Sequence, residues 1–140
     1  MESLESRLSD LVEELTLAGD WNDRYRLLVE WGEEAEALPE KERRPEFEVS
    51  GCSSPLWLRV RRIDGRLEVQ GCSPGILPKA LLAVVTRLFH GLENVQGTAE
   101  AIVDRLEMRR NLSPTRVLVL ERMLTRALNG GTPALDTNTR

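Results

Sequence analysis

Leu4, Leu8, Leu11, Val12 and Leu15 recur at the intervals of one helical face, which predicts a helix over 4–18. Gly19 stops it, and Asp20 is placed to cap a second helix over 21–38. Trp21, Tyr25, Leu28 and Trp31 form a stripe along that helix and are expected in the core. Pro39 and Pro45 bracket a charged connector, residues 40–44, read as an exposed loop. The period then drops to two. Phe47 and Val49 flank Glu48, and Leu56, Leu58 and Val60 alternate with Trp57, Arg59 and Arg61. Asp64-Gly65 marks a hairpin turn, after which Leu67, Val69 and Gly71 continue a returning strand. These three segments predict a small three-stranded antiparallel sheet.

Ser73-Pro74 reads as an N-cap followed by proline at the first helical position, opening a helix over 74–90 that ends at Gly91. Its run from Ala80 to Val85 is apolar nearly all round, which makes it the central helix, and Pro78 is tolerable only because it falls early. Thr98 caps a short helix to about 107, and Ser113-Pro114 opens a last one to about 128. Residues 129–140 are small and polar and read as a flexible tail. Helices, then strands, then helices make an α+β pattern, here one domain over 1–128.

Composition narrows the function. The chain has 140 residues, 41% of them hydrophobic, and a net charge of −4 with acids and bases interspersed. That balance argues against a nucleic-acid grip and for a protein partner. No apolar stretch reaches the roughly 20 residues that span a bilayer. The N-terminus lacks the basic-then-apolar pattern of a signal peptide, so a cytoplasmic setting with reduced thiols is expected. Cys52, Cys72 and the lone His90 fall short of the four ligands of a structural zinc site, and no metal site is assigned. His90 stands where the central helix ends, where the helix C-terminus accounts for it without chemistry.

Cys52 is the candidate for chemistry. Gly51 precedes it and Ser53, Ser54 and Pro55 follow, small residues that leave the thiol accessible. Nearby N–H groups and hydroxyls suit the thiolate, the form that attacks sulfur. Cys72 is either a small residue filling the strand-to-helix corner or a second thiol able to resolve an oxidised Cys52 as a disulfide. Trp57 points away from Leu56 and Leu58, so it packs under a helix or shields the Cys52 loop. Arg116 sits on the first turn of its helix, unfavourably for the dipole, which predicts a carboxylate holding it and a place at a partner surface.

The order of motifs adds a resemblance. Asp20-Trp21-x-x-Arg24-Tyr25, Leu38-Pro39, Gly51-Cys52-x-Ser54-x-x-Trp57, Gly71-x-Ser73 and Leu112-Ser113-Pro114-x-Arg116 resemble the SufE family in sequence and spacing, from about 20 to 128. The resemblance implies a sulfur acceptor for pyridoxal-phosphate-dependent cysteine desulfurases of the SufS or CsdA type, with Cys52 as the persulfide-accepting cysteine. The pyridoxal phosphate belongs to the desulfurase and the chain itself carries no cofactor. Iron–sulfur scaffold proteins stand downstream, and the carrier turns over only with its partners. The chain departs from the family pattern at several places. Ser53 stands where the family commonly has Gln, Phe47 where it has Asn, Val119 where it has Gly, and Gly71-Cys72-Ser73-Pro74 where it often has an acidic stretch; extra residues fall between Gly32 and Leu38. Two rival functions share the same residues: a thiol redox protein cycling Cys52 and Cys72, and an interaction module without sulfur transfer.

Overall fold

In the computed structural model, which describes residues 2–130, five α-helices accompany a two-stranded antiparallel sheet. Helix α1, Leu4–Ala18, begins at Ser3, whose hydroxyl and that of Ser6 cap each other's backbone N–H groups. Helix α2, Trp21–Glu34, starts at Asp20, whose carboxylate accepts the Asp23 N–H at 3.0 Å. That bond holds the Asp20 carboxyl below its ordinary pKa. The helix ends four residues short of the expected 38. Ala35 turns extended, Ala37 makes a parallel bridge to Gly71, and the Leu38 N–H donates to the Gly71 carbonyl at 3.0 Å. Those residues cover a sheet edge that would otherwise stay unpaired.

Strands β1, Trp57–Ile63, and β2, Arg66–Cys72, pair in register from Trp57–Cys72 to Ile63–Arg66. Asp64 and Gly65, at φ 54° and 81°, form the two-residue turn. The expected third strand reduces to one bridge, Glu48 to Trp57, because residues Pro45–Phe47 close a 3-10 turn instead. The charged connector likewise holds a 3-10 turn, Glu40–Glu42. One sheet face, with Leu58, Val60 and Val69, is buried in the core. On the other, buried Arg59 donates to Glu42, Glu68 and Gln70 at 2.9–3.2 Å.

Helix α3, Ile76–Phe89, packs against α1, α2, β2 and α5, the last spanning Pro114–Leu128. It starts two residues later than 74, with Gly75 as N-cap, which places Pro78 at the third helical position, where no intrahelical N–H is lost. Ser73 caps nothing in α3; its hydroxyl accepts the Gly75 N–H and donates to the Pro55 carbonyl at 2.6 Å. Gly32 lets α2 lie against α3: a Cβ there would stand 2.8 Å from backbone atoms of Lys79 and Ala80. Arg87 stacks 4.0 Å above the Trp31 ring across the same contact. Helix α4, Ala99–Arg105, is capped by Thr98 as expected. Core residues from all five helices and both strands belong to one hydrophobic cluster. His90, just past α3, accepts the Val69 N–H at Nδ1, covering a further stretch of the β2 edge. No helix among the described residues is long and apolar enough to cross a membrane. The expected tail lies outside the described residues from 131 onward.

Candidate functional site

Cys52 sits half-buried on the loop that the Glu48–Trp57 bridge closes ahead of β1, facing a groove of about 970 Å³. The groove's walls come from three helices: Tyr25 of α2, Ile76 and Leu77 of α3, and Arg116 and Val119 of α5. Gly51, Ser53 and Ser54 line it beside Cys52. Ile76 is 61% exposed and Tyr25 37%, so apolar and aromatic surface stands open around the thiol. This corrects the expectation that Tyr25 belongs to the core. Leu28 and Trp31 of the same stripe are buried, whereas Tyr25 lies on the flank that turns toward the groove.

Both ends of the loop are pinned. On the N-terminal side, Nη1 of Arg122 donates to the carbonyl and hydroxyl of Ser50 at 2.8 and 3.2 Å. Gly51 follows at φ 95°, and a Cβ there would stand 2.5 Å from that same nitrogen. Glycine is favoured there by the positive φ, and an added Cβ would also have to displace the Arg122 guanidinium from its place beside the loop. On the C-terminal side, the Ser73 hydroxyl holds the Pro55 carbonyl.

Arg116 is exposed on the groove wall, and no carboxylate among the described residues lies within ion-pair distance of it, contrary to the expected intramolecular partner. The carboxylates nearest in chain order are engaged elsewhere, Glu121 and Asp104 on Arg109 and Glu107 on Arg24. Trp57 does not line the groove, so it does not shield Cys52 from that side; it lies across the sheet from Cys72.

Cys72 is buried, and burial pushes its thiol up, against the smaller opposing influence of Arg43. A thiol shifted that way stays protonated at neutral pH and is a poor nucleophile. It lines a different cleft, between α2 and α3, with no lining residue in common with the Cys52 groove, and both cysteines are free. Among the described residues no cluster of His, Cys, Asp and Glu could hold a metal ion.

Arg122 and Arg126 are the residues that sequence reasoning misses. The available signal is their i, i+4 spacing beside the core stripe of Val117, Leu120, Leu124 and Ala127.

The family model described as "SufE: Fe-S metabolism associated domain" matches residues 9–129. The solution structure of a hypothetical protein from Thermus thermophilus is similar in fold, with a TM-score of 0.66 over 89% of this chain and 92% of that one at 17% identity.

Proposed function

Because the chain belongs to the SufE family, a domain associated with iron–sulfur metabolism, we propose that it is a sulfur acceptor that takes persulfide sulfur onto Cys52. The observation that carries the reading is the placement of Cys52: a half-exposed thiol on a loop pinned at both ends, open to a groove rimmed by exposed apolar side chains. A small-molecule thiol needs no such groove, whereas a segment of a protein partner does.

In the transfer, the Cys52 thiolate attacks the outer sulfur of a persulfide on the partner desulfurase. The new bond joins Cys52 Sγ to that sulfur, the partner's S–S bond breaks, and the partner's cysteine leaves as a thiolate, so no oxidant or reductant is consumed. Arg116 stands on the groove wall and Arg122 beside Gly51, so the partner segment that enters meets positive charge on the α5 side. The donor is a pyridoxal-phosphate-dependent cysteine desulfurase of the SufS or CsdA type, and the sulfur passes on to iron–sulfur scaffold proteins. Cys72 takes no part. Its burial and its separate cleft favour the carrier over a disulfide cycle between the two cysteines.

Incubation with such a desulfurase and L-cysteine, followed by intact mass spectrometry, separates the three functions. A carrier gains the mass of one sulfur atom at Cys52. A redox protein loses two hydrogens under oxidant, and a bare interaction module changes in neither experiment. Either of the last two results overturns the reading.

A further inference from the structure

The third strand expected over 47–49 stops after one rung, and an arginine occupies the place of the next. The Val49 N–H donates to the Leu56 carbonyl at 2.8 Å, as in an antiparallel ladder. The following rung would bring the Phe47 N–H to the Leu58 carbonyl. Instead the Phe47 N–H turns back to the Arg44 carbonyl at 2.9 Å, in the 3-10 turn that Pro45 opens. The Leu58 carbonyl receives Nη1 of Arg126 at 2.7 Å. The same nitrogen reaches the Phe47 carbonyl, and Nη2 the Glu48 carbonyl, both at 3.1 Å. Arg126 thus directs its charge at three backbone carbonyls, and burial pushes its guanidinium below the ordinary value. One turn earlier, Arg122 holds Ser50. Val119 and Arg116, farther along the same face, line the groove itself. Steps of three, three and four residues put all four side chains in one row on α5.

We propose that Arg122 and Arg126 are positioning residues, clamping the 47–52 segment to α5 so that Cys52 is presented to an incoming persulfide at a fixed place in the groove. The proposal deepens the sulfur-acceptor reading and rests on it. The clamp replaces one strand bond: from a helix it gives the Leu58 carbonyl the donor that the Phe47 N–H would have been, and it holds the Phe47 and Glu48 carbonyls with the same guanidinium. Because one planar fork serves three carbonyls, a lysine ammonium at 126 cannot do the same.

Two readouts on wild type, Arg126→Met, Arg126→Lys and Arg122→Gln test this. The first is hydrogen exchange at the Val49 amide, referenced to the α3 core amide of Val84. The second is desulfurase-driven sulfur loading, with this chain as the varied substrate. In Arg126→Met the Val49 amide should exchange roughly tenfold faster or more, while that of Val84 is little changed. The kcat for loading should fall at a near-constant KM, and Arg126→Lys should not restore it. Arg122 is exposed, so Arg122→Gln folds regardless and should show the same pattern more weakly. Unchanged Val49 exchange in both the Met and Gln variants overturns the clamp. Faster exchange with unaltered kcat, or an effect confined to KM, overturns its role in presenting Cys52. A wild-type chain that takes up no sulfur overturns the acceptor function instead, and Val49 exchange then decides the clamp by itself.

Discussion

Gly51→Ala is the substitution whose cost can be worked out in parts. At φ 95° an alanine pays the left-handed penalty of an L-residue, about 1–2 kcal/mol. Its Cβ would also stand 2.5 Å from Nη1 of Arg122, so the guanidinium has to swing away and release the Ser50 carbonyl and hydroxyl. Two such bonds are worth about 0.5–1.5 kcal/mol each, and the exposure of Arg122 and Ser50 puts them at the low end, because water can replace them. The total is about 2–3 kcal/mol. Gly65→Ala supplies the control. Gly65 has φ 81° and nothing within 4 Å of an added Cβ, so it isolates the backbone cost. Urea unfolding of Gly51→Ala, Gly65→Ala, Arg122→Ala and the Gly51→Ala/Arg122→Ala double variant closes the cycle. With Arg122 removed, Gly51→Ala should cost no more than Gly65→Ala does. An equal cost with and without Arg122 would refute the contact between the loop and α5.

Other outcomes follow from the same geometry. Gly32→Ala gains about 1 kcal/mol of helix propensity but drives a Cβ into the Lys79 and Ala80 backbone, an overpacking cost of about 1–3 kcal/mol. Net destabilisation in urea is expected, and a more stable variant would show that α2 and α3 have room to part. Cys72→Ala should cost about 1 kcal/mol and leave sulfur uptake unaltered; lost uptake would bring Cys72 back into the chemistry. Hydrogen bonding from Arg61, with Arg59 near, holds the Glu68 carboxyl below its ordinary range. Its contribution to stability is therefore full above the unfolded-state value of about 4.3 and fades as pH falls through the lower folded value. The stability gap between wild type and Glu68→Gln should accordingly shrink from pH 6 to pH 3, and a constant gap would show that the carboxylate's charge contributes nothing.

What was legible in the sequence had a local cause. Ser113-Pro114 and Thr98 announce helix starts because capping is decided within a few residues, and α5 and α4 begin where they should. Asp64-Gly65 fixes the hairpin for the same reason. The misreadings came from tertiary competition. The alternation Phe47-Glu48-Val49 reads as a strand, but the Phe47 N–H closes a 3-10 turn on Arg44, and Arg126, 79 residues away from Phe47, takes the Leu58 carbonyl that this N–H would have used. Ser73-Pro74 has the form of a cap, yet the Ser73 hydroxyl is drawn to the Pro55 carbonyl, and α3 waits for Gly75. Tyr25 shares a helical stripe with Leu28 and Trp31, and periodicity alone does not show where a stripe leaves the core for a groove. The accessible loop position of Cys52 was legible through its small neighbours. The clamp beneath it was not, because Arg122 and Arg126 look like ordinary surface charges of an amphipathic helix.

Single-turnover transfer bears most directly on the role of Cys52. A desulfurase of the SufS type, loaded with radiolabelled persulfide sulfur and freed of cysteine, is mixed with wild-type chain, Cys52→Ser or Cys72→Ala, and the label is located by peptide mapping without reductant. The expected result is label on the Cys52 peptide of wild type and of Cys72→Ala, at equal rates, and none on Cys52→Ser. Label reaching Cys52→Ser as fast as wild type, or none reaching wild type, would contradict a sulfur acceptor at Cys52.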